Sequence, residues 1–392
     1  MSSEKSTELD YRVALARALE ARAQDVFLYW KGRVALYALL RAMEVGEGDE
    51  VVMPAFTCVV VPNAVLYAGA TPRYVDIDGS TLNPGLEAIE SAVTERTKVI
   101  LVQNTFGLST EVDRIAAFAR ERGIRTIEDC THGFGGTYGG RPNGTWSDAA
   151  FYSTQWNKPF STGLGGFALV KDPVLRERLE AVNRELIRPG RRQAAMLGLL
   201  VRVKSALVND TTYWPALRAY RALSRRGLVL GSSTGGEVSS TEMPEAYFRA
   251  AAPVQAAVGL RALAKLDALS VRRRENGLRY NAWMRARGYF NYPDEVLPDH
   301  GFLKFPVFVR DRAAFLDRAE QAKVQLGDWF CSMLHPVEGD LSPWGLDADR
   351  FPVARTAAAA ILNLPTDTAD PERVLAFLER EEGELVGKFA VQ

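Results

Sequence analysis

The stretch IEDCTHGFGGTYGGRPNGTWSDAAFYSTQWNKPFSTGLGG, residues 127–166, decides how the chain is read. Ile127 closes a strand-like run, IRTI, Asp129 follows almost at once, and His132 comes three residues later. A second strand-like run, AAFY at 149–152, is left by Ser153, and Lys158 stands five positions further on. Trp156, Pro159 and Phe160 flank that lysine, and Gly163, Gly165 and Gly166 are expected to loosen the backbone after it. An apolar setting lowers a lysine's pKa and favours the neutral amine that a Schiff base needs. A carboxylate at a strand end serves as a cap, an ion-pair partner, or a counter-charge buried beneath a ligand's protonated nitrogen.

Working outward, strands and helices alternate. Arg33–Glu44 places Val34, Leu36, Tyr37, Leu40 and Met43 near helical spacing, and Val112–Arg122 reads as another helix. Val51–Met53, Arg73–Val75, Val99–Val102, Ile124–Ile127 and Ala149–Tyr152 read as strands. This alternation predicts an α/β fold of three layers, a mainly parallel sheet covered on both faces. In such sheets ligands lie beyond the carboxyl ends of the strands, which directs attention to the polar residues there. Asn104, at the end of VILVQN, is one more of these. Lys31–Gly32–Arg33 places a glycine at a helix start, where free backbone N–H groups bind phosphate and Arg33 adds charge.

Residues 1–185 are expected to form this large domain, 186–242 an arginine-rich helical insertion, and 243–392 a smaller C-terminal α/β domain. In the insertion, YWPALRAYRALSRRGLVL mixes apolar positions with arginines, and GSSTGG at 231–236 marks a flexible break. A basic amphipathic segment can lie on a membrane surface; packing on a partner subunit or over the active site is the favoured expectation. In the C-terminal part, QAAVGLRALAKLDALSVRRREN is expected as one long helical stretch, FLKFPVFV at 302–309 as a strand, and 371–382 as the closing helix.

The 392 residues carry 48 basic and 48 acidic side chains, so bulk charge gives no reason to expect nucleic acid as a partner. Three cysteines without a CxxC pair and three histidines argue against a disulfide framework or a thiol-rich metal site. With no apolar signal core or spanning segment, the expectation is a soluble, cytoplasmic protein.

An amine, a carboxylate, a hydroxyl and a phosphate-ready helix start match the needs of pyridoxal 5'-phosphate. The chain resembles the DegT/DnrJ/StrS family of fold-type-I aminotransferases dependent on that cofactor. The resemblance rests on GDEVVMPAFTCVVVPNAVLYAGATPRYVDID, on the 127–166 block with Lys158 placed 29 positions after Asp129, on LRALAKLDALSVRRREN and on FPVARTAAAAILNLPT. It implies Lys158 as the Schiff-base lysine, Asp129 as the pyridinium partner and Ser153 as a phosphate ligand. His132 falls at the family's Gln/His position beside the cofactor. Gly32 and Arg33 fall where the family has Gly-Thr or Gly-Ser, so the backbone role carries over, while Arg33 either replaces the hydroxyl or forms a structural ion pair. Cys58 falls where many members place an aromatic that stacks on the pyridine ring; core packing is the other reading. The family's Asn-x-Arg-Met pattern, whose asparagine reaches a neighbouring subunit's phosphate, has no clear counterpart in EMPEAYFRAAAPVQAA, where Arg249 matches with a one-residue shift. The resemblance further implies a homodimer, glutamate or glutamine as amino donor, and a keto sugar, nucleotide-linked, as acceptor. A keto-cyclitol acceptor and an idle cofactor-binding regulator are the alternatives.

Overall fold

The computed structural model describes residues 2–207, 212–225 and 235–387. Its strands are β1 Val26–Tyr29, β2 Glu50–Pro54, β3 Thr57–Cys58, β4 Thr71–Val75, β5 Thr97–Gln103, β6 Arg125–Asp129, β7 Thr137–Tyr138 and β8 Arg141–Pro142. They continue with β9 Ala149–Ser153, β10 Gly166–Leu169, β11 Phe305–Phe308, β12 Leu334–His335 and β13 Ile361–Leu364. The helices are α1 Ser2–Ala18, α2 Gly32–Ala42, α3 Val60–Tyr67, α4 Leu86–Ala92, α5 Val112–Glu121, α6 Pro173–Val182 and α7 Arg191–Leu207. After these come α8 Tyr213–Arg225, α9 Gly235–Ser239, α10 Pro253–Leu263, α11 Leu266–Ala286, α12 Arg312–Gln321, α13 Pro352–Ala360 and α14 Pro371–Arg380.

Seven strands form the central sheet in the order β1-β10-β9-β6-β5-β2-β4. The five from β9 to β4 are parallel, and β10 runs antiparallel to both β9 and β1. Alternate residues of each strand face opposite ways. Val51, Met53, Leu101 and Phe151 pack against Leu36, Leu39 and Leu40 of α2. Towards one edge of the other face, Val52, Ile100 and Val102 meet Ile115 and Phe118 of α5, and towards the opposite edge Ala150, Tyr152 and Phe167 meet Tyr11 and Leu15 of α1. The expected three layers are therefore present, and the near-continuous apolar strands follow from burial on both sides.

Local boundaries differ in instructive ways. The run at 302–309 is a strand only over β11, paired antiparallel with β13, because Phe302 adopts a positive φ of 45° and Leu303 bonds back to Phe106. The long C-terminal helix is two helices, α10 and α11, separated at Ala264–Lys265. The expected break at 231–236 lies mostly outside the described residues; Gly235 and Gly236 open α9.

Candidate active site

The carboxyl edge of the parallel strands gathers the residues that the sequence singles out. β6 ends on Asp129, β9 on Ser153, and β5 runs into Asn104, whose backbone N–H donates to the Asp129 carbonyl at 3.0 Å. The start of α2 lies against this edge because two glycines permit it. A β-carbon on Gly32 would stand 2.8 Å from the Tyr152 carbonyl oxygen and 2.9 Å from Ser153 Cβ, and one on Gly166 would stand 2.3 Å from Gly32 Cα. Among the described residues no side chain caps α2, so its first-turn N–H groups open beside Ser153 as an anion-binding corner. The Ser153 hydroxyl accepts a long bond, 3.4 Å, from Gln155 N–H.

Asp129 is buried, and its Oδ1 accepts the Thr131 N–H at 3.0 Å. Burial pushes its carboxyl up; the Thr131 bonds and the nearby Lys158 charge pull the other way. Lys158 sits on the 155–163 loop, its Nζ 4.4 Å from the centre of the Trp329 ring. Burial pushes its ammonium down to about 8, with Cys58 and Asp129 opposing that shift and Arg33 and Lys304 adding to it. Cys58 responds to Arg33, Lys158 and Asp129 in turn, and burial raises its thiol. These four side chains therefore share one field, which is what convergent groups in a low-dielectric site do.

His132 is also at this edge, but it is packed. Its ring stacks on Trp329 at 5.0 Å and on Phe330 at 5.7 Å, Nδ1 accepts the Phe106 N–H at 3.3 Å, and burial holds it well below the usual histidine range. Both amide atoms of Asn104 are buried with no hydrogen-bond partner among the described residues. Arg33 is ion-paired, Nη1 to Glu237 Oε1 at 2.6 Å, so the ion-pair reading describes its contact here. Gly163, Gly165 and Gly166 do not loosen the loop. A β-carbon on Gly163 would press on Val201 and Leu197 of α7, and one on Gly165 on the Thr154 and Thr162 hydroxyls, so they are close-packing positions.

Sequence reasoning missed several neighbours. Trp329 and Phe330 arrive from a loop that no motif marks, Lys304 from just before β11, and Glu237 from α9. Two more cations hold the lysine loop itself: Arg273 of α11 donates to the Pro159 carbonyl at 2.7 Å, and Lys204 of α7 to the Trp156 carbonyl at 3.2 Å.

Comparison with known proteins follows the same lines. GDP-perosamine synthase of Escherichia coli O157:H7 is 37% identical over 147 residues, 38% of this chain and 40% of that protein. The L-glutamine:2-deoxy-scyllo-inosose aminotransferase of Streptomyces kanamyceticus is 36% identical over 149 residues, 38% of this chain and 35% of that one. The matched stretches thus span well under half the length of either relative. The aminotransferase TlmJ from Streptoalloteichus hindustanus shares the fold, with a TM-score of 0.69 over 96% of this chain and 92% of its own at 24% identity. The model of the DegT/DnrJ/EryC1/StrS aminotransferase family matches residues 23–205 and 246–374, and this chain is a member of that family.

Proposed function

We propose that the protein binds pyridoxal 5'-phosphate between Lys158 and Asp129 and transfers an amino group from an amino acid, glutamate or glutamine, to a nucleotide-linked keto sugar. The observation that carries the reading is the convergence at one edge of the sheet of a buried Asp129 ending β6, Ser153 ending β9, the start of α2 packed against Ser153, and the Lys158 amine whose charge Asp129 feels. Asn104, whose backbone N–H bonds to Asp129, carries an amide that is buried without partners among the described residues, a cost that a bound polar group would remove. The residues therefore fit the cofactor.

When bound, the cofactor supplies a ring that accepts the electrons released as a proton leaves the donor's α-carbon. Lys158 Nζ, which burial makes easier to deprotonate than an ordinary lysine, would take that proton from the donor α-carbon and deliver it to the cofactor carbon that carried the aldehyde. The Asp129 carboxylate keeps a ring nitrogen protonated, its orientation held by Thr131. Ser153 Oγ and the N–H groups of Gly32 and Arg33 would hold the phosphate, with His132, Cys58 and Asn104 as the further cofactor-binding residues that the family resemblance implies. The similarity to GDP-perosamine synthase supports a nucleotide-linked acceptor, and that to the deoxy-scyllo-inosose enzyme supports a cyclitol as the second reading. The free thiols of Cys58, Cys130 and Cys331 suit a reducing cytoplasm, and the resemblance to fold-type-I enzymes supports a homodimer.

The test is incubation of the cofactor-loaded protein with glutamate or glutamine, a panel of nucleotide-linked keto sugars and a keto-cyclitol, followed by mass analysis. An aminated nucleotide sugar is the expected product; an aminated cyclitol alone moves the assignment to the second reading. Lys158→Ala is expected to abolish both the visible absorbance of covalently held cofactor and turnover, and retained turnover would refute the assignment.

A further inference from the structure

The family model leaves residues 206–245 unmatched, and one side chain of that stretch reaches the candidate site. Glu237 of α9 is buried, 3% exposed. Its carboxylate accepts from Arg33 Nη1 at 2.6 Å and from Lys31 Nζ at 3.4 Å. The position is built from both ends. Asn63 Nδ2 donates to the Glu237 backbone carbonyl at 2.7 Å, and the Tyr247 hydroxyl donates to the Arg33 carbonyl at 3.0 Å. Arg249 also lies close enough to add to the depression of Lys31, after burial and Arg33. All this surrounds the uncapped start of α2, where the helix N–H groups favour an anion too.

Building on the function proposed above, we infer that Lys31 and Arg33 form a two-cation clasp for the cofactor's phosphate and that Glu237 is its internal occupant, a carboxylate that arriving phosphate displaces. A phosphate monoester carries about −1.5 to −2 charges at neutral pH against one for the carboxylate, so it satisfies two cations better. Leaving buried cations without a partner is costly, so Glu237 offsets the charge of the clasp in cofactor-free protein and makes the phosphate compete for its seat.

The experiment measures dissociation constants of pyridoxal 5'-phosphate and of pyridoxal, which has the same ring and aldehyde without the phosphate, by absorbance titration of cofactor-free protein. Glu237→Gln is expected to tighten the phosphorylated ligand roughly tenfold, the scale of one charge-assisted hydrogen bond, and to leave pyridoxal unchanged. Glu237→Asp, which keeps the charge and shortens the reach, should fall between wild type and Gln and serves if the Gln variant does not fold. Equal or weaker binding of the phosphorylated ligand by both variants overturns the inference while leaving the proposed function standing. Failure of every form to bind either ligand overturns both.

Discussion

A lysine enclosed by Trp329 and its own loop is a poor site for a charge, and this sets a pH dependence. In cofactor-free protein the neutral amine of Lys158 is the reactive form, and burial brings its pKa down to about 8. Covalent capture of pyridoxal phosphate, followed by stopped-flow absorbance, should therefore slow about tenfold per pH unit below 8 and level off above it. The stability sign follows: the unfolded lysine titrates near its ordinary 10.5, so it binds the proton more readily than the folded one between about 8 and 10.5. Folded stability gains from this group as pH rises through that window. Asp129→Asn keeps the shape and removes the charge. Such a variant should retain cofactor and lose roughly 100-fold or more in turnover; near-normal rates would place the electron-sink role elsewhere. Lys158 and Asp129 were legible in the sequence because each stands at or just after a recognisable strand, with the separation that the family resemblance implies. Trp329, Lys304 and Glu237 were not, since each comes from far along the chain with no pattern of its own, and only the fold brings them near. Arg33 was legible as a charge at a helix start, while its partner, Glu237 of α9, lies 204 positions further along the chain.

At the level of elements, the contact between α2 and the ends of β9 and β10 governs how a phosphate can be held. Gly32→Ala would drive a methyl group into the Tyr152 carbonyl and Ser153, neither of which can yield without moving β9. A cost of about 1–3 kcal/mol is expected from such overpacking, read as a lowered melting temperature, together with weaker cofactor retention. Unchanged values for both would show that the helix start does not need this close approach. The strands and α2 were readable from periodicity because burial on two faces produces continuous apolar runs. β1 and β10 were harder: both are four residues long, and the antiparallel turn into β10 runs through glycines that read as loop. The split between α10 and α11 was invisible because Ala264 and Lys265 are good helix formers, so tertiary packing and not propensity breaks the helix there.

For the molecule as a whole, the features that the family match covers and those it leaves out meet around the same edge of the sheet. Solvent-facing apolar side chains remain on α1 and α7, with Leu9 at 55%, Leu199 at 60% and Leu207 at 61% exposure. The proposed homodimer would cover some of them. Light scattering should then return twice the chain mass of 43.2 kDa, and Leu199→Asp should shift the population towards monomer if α7 lies in the interface. A monodisperse monomer would leave the site to be completed within one chain. No helix among the described residues is long and apolar enough to cross a membrane.

The two carbonyls gripped by Arg273 and Lys204 tie the turn bearing the amine to helices that come well after it in the chain. A protein ending at residue 185 would keep the acid, the hydroxyl and the amine in its own sequence, yet that turn would have lost both tethers. Such a fragment should misplace its nucleophile even if the sheet survived, so chemistry in this molecule is a property of the far half of the polypeptide as much as of the near one.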